Sequence, residues 1–129
     1  MHTENFDSSE FVCHCGKCCH SVPHSHLVSE KLMIALQIAR NRYGYPIFIT
    51  SGRRCIAHNK RVGGVWNSYH VQGLAADVRG DNMLRLFDTL CSVNDFLYLE
   101  PHDNYIHVDI GRVRTHRIND KRTVINHAS

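Results

Sequence analysis

Several features common in other protein classes are missing from this chain, and each absence narrows the reading. No apolar run approaches the ~20 residues needed to span a bilayer, so membrane insertion is not expected. Excess charge is small: a net +3 without a patterned basic face does not mark a nucleic-acid binder. With only three prolines, and no internal repeat or low-complexity tract, nothing in the 129 residues reads as a linker. A single domain over 1–129, with one modest core, is therefore expected. The opening MHTENFDSSEF lacks the charged-then-apolar pattern of a secretory signal. Synthesis in the cytoplasm without a Sec signal follows as the expectation.

Histidine and cysteine are the residues in surplus. There are eleven histidines and six cysteines, four of which crowd into residues 13–19. In a reducing compartment such cysteines point to metal binding or free thiols and away from a disulfide framework. Residues 1–12 read as a polar lead-in, and 13–26 (CHCGKCCHSVPHSH) as an irregular Cys/His-rich segment. At the other end, 112–129 carries Arg112, Arg114, Arg117, Lys121 and Arg122 against Asp120, and reads as a solvated basic tail.

Between these ends the periodicity is clearer. Leu27, Val28, Leu32, Ala35, Leu36 and Ala39 fall near helical spacing, with Gly44 and Pro46 as stop signals, which predicts a helix around 25–43. PIFITSG (46–52) predicts a strand, and 53–69 a loop punctuated by Gly63-Gly64. LAADV (74–78) predicts a short strand, 81–93 a second helix with Cys91 on its buried side, and FLYLE (96–100) and YIHVDI (105–110) two strands joined by a turn at PHDN. The fold class expected is α+β, a small antiparallel sheet with the helices packed on its apolar face.

Strand parity then sorts the side chains. In YIHVDI, Ile106, Val108 and Ile110 share one face, while Tyr105, His107 and Asp109 share the other. In LAADV, Leu74, Ala76 and Val78 fall together, and Ala75 and Asp77 point the opposite way. Gly73 permits a bend that brings His70 back towards Asp77. Two histidines and one aspartate suit zinc, and three protein ligands leave a fourth position for water. From spacing alone, coincidence in a histidine-rich chain is the competing explanation.

Ser68-Tyr69-His70-Val71-Gln72-Gly73-Leu74-Ala75-Ala76-Asp77 matches the pattern S-x-H-x-x-G-x-A-x-D at every fixed position. With ITSGRRC (49–55), HNKRVGG (58–64) and YIHVDIG (105–111), the chain resembles the zinc D-alanyl-D-alanine carboxypeptidases and L-alanyl-D-glutamate endopeptidases. It is most similar to their short single-domain branch in phages and bacteria, with a Hedgehog/DD-peptidase-like fold. The resemblance implies that His70, Asp77 and His107 hold Zn2+, and that Arg54 steadies a substrate carbonyl or carboxylate. It also implies that Ser51 and Ser68 tie down backbone near the site. The expected substrate is a peptidoglycan stem peptide, cut at an amide bond involving a D-amino acid by a chain acting as a monomer. A phage lysin, a virion-associated enzyme or a cytoplasmic recycler of wall peptides would each fit.

One position departs from the pattern. Many relatives carry an acid three residues before the last ligand, where this chain has Asn104, which cannot take a proton. Asp103, one residue further back, is the first substitute as general base, Glu100 the second and Asp109 the third. Asp109 is equally suited to accept the N–H of an imidazole ligand. Tyr105 suits either packing or a hydrogen bond to a tetrahedral intermediate, and His102 reads as an exposed turn residue. The displaced acid leaves open a zinc-stabilised binding module without turnover, as in Hedgehog-type signalling domains. A histidine-rich metal store is a third possibility.

Cys13, Cys15, Cys18 and Cys19, beside His14, His20, His24 and His26, offer donors for a second, structural metal. Their C-x-C-x-x-C-C spacing differs from paired C-x-x-C knuckles. Cys55 reads as a lone reduced residue or as one that reaches back to this cluster.

Overall fold

A computed structural model describes residues 2–14, 28–64 and 68–111. Cys15, Cys18, Cys19 and the basic segment 112–129 lie outside the described residues, and the first helix begins later than the expected residue 25, at Glu30, because Ser29 is extended and forms its N-cap. Helix α1 spans Glu30–Tyr43 and strand β1 Phe48–Ser51. Helix α2 (Ile56–Arg61) and strand β2 (Ala75–Arg79) follow. Helix α3 (Met83–Cys91) leads to strands β3 (Tyr98–Pro101) and β4 (Ile106–Asp109). The expected α+β class is what is observed: four antiparallel strands in the order β1-β2-β4-β3, with helices beside them.

Apolar spacing explains the packing of the two longer helices. Leu32, Met33, Ala35, Leu36, Ala39 and Tyr43 of α1 are buried, as are Leu86, Phe87, Leu90 and Cys91 of α3. They meet Ala76, Val78, Leu99, Ile106 and Val108 from the sheet in one core. Helix α1 ends where expected, because Gly44 adopts a left-handed φ of 81° and its N–H caps the Arg40 carbonyl. Pro101, which cannot donate to a ladder, sits on β3 at the sheet edge.

Two expectations are corrected. Residues 1–12 are not merely a polar lead-in: Ser8–Phe11 forms a 3-10 turn closed by a capping box between Asp7 and Glu10. That turn drives Phe6 and Phe11 into the core. The segment 53–69 also holds α2, whose first turn is capped by a sulfur, the Cys55 Sγ accepting from the His58 N–H at 3.3 Å. Its end coincides with Gly63, at φ 76°. A thiol is not among the usual capping side chains, so residue preference gives no start signal there.

The register places the polar positions in line. Asp77 pairs with His107 across β2 and β4, and His107 pairs with Glu100 across β4 and β3. On the far side Asp77 stands opposite Ser51, just after an irregularity in the β1–β2 pairing. Ser51, Asp77, His107 and Glu100 thus form one row across all four strands, and directly opposed residues share a face.

Candidate metal centre

His70 reaches this row from a loop. A turn over Tyr69–Gly73 is closed by the Leu74 N–H donating to the Tyr69 carbonyl at 3.0 Å, with Gly73 at φ 74°. Ser68 holds the turn's start, its Oγ accepting from the His70 N–H at 3.1 Å. The imidazole of His70 is brought against that of His107, with ring centroids 5.1 Å apart.

Among the described residues, His70, Asp77 and His107 form a group whose ligand atoms all lie within 4.8 Å of one another. Asp77 Oδ1 stands 3.2 Å from His70 Nε2 and 3.3 Å from His107 Nδ1. Neither approach has hydrogen-bond geometry, and this oxygen is buried without such a partner. The other nitrogen of each ring is engaged. His70 Nδ1 lies 2.8 Å from the Gly52 carbonyl oxygen, and His107 Nε2 lies 2.7 Å from Asp109 Oδ2. A carbonyl can only accept, so Nδ1 of His70 carries the proton and Nε2 keeps its lone pair facing Asp77. The fully buried Asp109 imposes the corresponding tautomer on His107. An orphaned carboxylate oxygen between two imidazole lone pairs, with both remote N–H groups held, is the donor chemistry of a zinc site.

The electrostatics agree. Burial pushes the Asp77 carboxyl up, but the His107 and His70 imidazoles, when they carry a proton, outweigh it and hold the group well below the usual carboxylate range; a cation between the three donors would act in the same direction. For His107, burial pushes the imidazole down, while the carboxylates of Asp109 and Asp77 outweigh it and hold its pKa above the usual imidazole range.

Arg54 spans the other edge of Asp77. Its Nη2 donates to Asp77 Oδ2 at 3.3 Å, Nη1 to Asn59 Oδ1 at 3.3 Å and Nε to Ser51 Oγ at 3.4 Å. Its backbone N–H donates to the His70 carbonyl at 3.1 Å. Asp77 is thereby divided, one oxygen facing the imidazoles and the other the guanidinium. Ser51 acts on Arg54 through its side chain, beyond the backbone role expected for it.

The acidic candidates fall in different places. Asp103 is exposed in the β3–β4 turn, whereas Glu100 lies half-buried in the row beside His107. Glu100 Oε2 accepts from the Tyr98 hydroxyl at 2.8 Å, and Oε1 is 3.4 Å from His102 Nε2. Asp109 is fully buried, with Oδ2 2.7 Å from His107 Nε2 and Oδ1 accepting from the Gly111 N–H at 3.3 Å. Tyr105 is half-buried and stacked on exposed His102, ring centroids 4.4 Å apart. Burial, then the charges of Asp77 and Glu100, push the Tyr105 hydroxyl up against the opposing pull of Arg54. It therefore stays protonated as a donor.

Sequence reasoning misses the Gly52 carbonyl, Asn59 and Tyr98. The first is backbone and carries no sequence signal. Tyr98 is detectable in principle, since it lies two residues before Glu100 and so on the same face. No curated protein is significantly similar to the chain. A family model described as Peptidase M15 matches residues 4–109, a span that contains every residue of the row and the turn bearing His70. The chain belongs to the peptidase M15 family, a family of zinc-dependent metallopeptidases.

Proposed function

We propose that this chain is a zinc-dependent peptidase that hydrolyses amide bonds involving D-amino acids in peptidoglycan stem peptides, with Glu100 as general base. The observation that carries it is the row Asp77–His107–Glu100, which sets a half-exposed carboxylate beside a pair of metal ligands on one face. Held by His70, Asp77 and His107, zinc supplies Lewis acidity towards a carbonyl and towards water.

The remaining steps belong to the protein's side chains. Glu100 takes the proton of the attacking water, its carboxylate oriented by the Tyr98 hydroxyl, and later returns it to the leaving amine. The Tyr105 hydroxyl donates to the developing oxyanion. Arg54 fixes the Asp77 carboxylate through Nη2 and lends positive charge to the same region. With Asn104 exposed and unable to accept a proton, the acid has moved from the turn onto the strand.

Zinc-loaded protein incubated with stem peptides ending in D-alanyl-D-alanine, and separately with wall fragments, should release new amines. Chelation should stop release, and added zinc should restore it. Binding of the fragments with no amine released would instead identify a zinc-stabilised recognition module.

A further inference from the structure

A second group of donors lies outside the row, where the N-terminal segment runs beside the loop carrying Arg54. The Arg53 N–H donates to the Phe11 carbonyl at 2.8 Å, and two residues further along both segments the Cys55 N–H donates to Cys13 Sγ at 3.3 Å. The Cys55 sulfur in turn accepts from the His58 N–H at 3.3 Å. Both sulfurs therefore already receive a backbone N–H, the interaction that stabilises a thiolate over a thiol. Cys55 and His58 have C-x-x-H spacing, and the N–H from the third residue on reaches back to the sulfur.

Two imidazoles stand on the same two segments. The rings of His14 and His58 have centroids 6.4 Å apart at an interplanar angle of 64°. The His70–His107 pair shows the same 64°, with centroids 5.1 Å apart. These four donors are not drawn together as those of the row are, so a metal would have to gather them, with exposed His14 turning towards His58. Cys13 is buried and Cys55 half-buried. Two thiols and two imidazoles are a structural zinc donor set, softer than the two imidazoles and carboxylate of the row.

We infer that Cys13, His14, Cys55 and His58 form a second, structural site for zinc, which clips the N-terminal segment to the loop bearing Arg54. The spacing of the cysteines in residues 13–19 alone does not give this set, because two of its four members come from the α2 region. The site has no open position for substrate. Its effect on catalysis is to hold Arg54, next to Cys55, against Asp77.

Cobalt(II) titration of the reduced apo-protein tests the assignment without reference to activity. Two equivalents should bind, one of them bringing a thiolate-to-cobalt charge-transfer band in the near ultraviolet. Asp77→Ala should keep that band while binding one equivalent. Cys13→Ser combined with Cys55→Ser should abolish the band and keep the other equivalent, and His58→Ala should lose the same equivalent as the cysteine pair. A wild-type protein that binds one equivalent without a thiolate band would overturn the site. So would a band that survives the double cysteine substitution, since the thiolates would then lie elsewhere in the chain.

Discussion

Two neighbouring rows of the same three strands have opposite lives. Leu99, Val108 and Ala76 pair across β3, β4 and β2, and all three are fully buried beneath the helices. One residue along each strand, Glu100, His107 and Asp77 pair in the same order on the other face. The alternation that hides the first row necessarily presents the second. A shift of register by one residue would exchange the two, so the packing of the apolar row is what aligns the polar one.

The sharpest way to break the comparison is Asp77→Ala. Stoichiometric zinc uptake and amine release should both be lost, while circular dichroism of the apo-protein stays that of a folded chain. Unfolding would mean that the polar row also carries the fold. Next in size is Glu100→Gln, which should lower kcat by roughly 10²–10⁴-fold with zinc content unchanged. Asp103→Asn, altered in the exposed turn, should leave kcat near that of the parent. The reverse pattern would move the base back to the turn.

Asp109→Asn sharpens the picture of the ring tautomers. It should weaken zinc affinity by roughly 10–100-fold, read by competition with a chromophoric chelator, because an amide no longer enforces the N–H of His107. Leu99→Ala should have the smallest effect on chemistry and a large one on the fold. A loss of about 2–5 kcal/mol in unfolding free energy is expected, with turnover per folded molecule unchanged. That loss is a serious fraction of the ~5–15 kcal/mol by which a domain is stable.

Much of this arrangement is legible in the amino-acid sequence. Parity along YIHVDI and LAADV separates the apolar from the polar faces, since side chains alternate whatever the tertiary context. His70, Asp77 and His107 lie within a short motif and one strand, so their grouping needs only a turn at Gly73 and one strand pairing. The choice between Asp103 and Glu100 is not legible, because it depends on which residue stands opposite His107 across a hairpin. Distance along the chain points to Asp103, whereas the register stands Glu100 opposite His107. Phe6 and Phe11 escape a reading by periodicity because the charged residues around them give no period. The D-S-S-E capping box between them is the available signal.

Gly52 carries a last consequence. A Cβ there would lie 2.5 Å from the Phe11 Cα, so backbone presses on backbone, and the Gly52 carbonyl is the group that fixes the His70 ring. The segment around Phe11 is thus a buttress behind His70. Trimming it would loosen His70 from behind, although no trimmed residue belongs to the row.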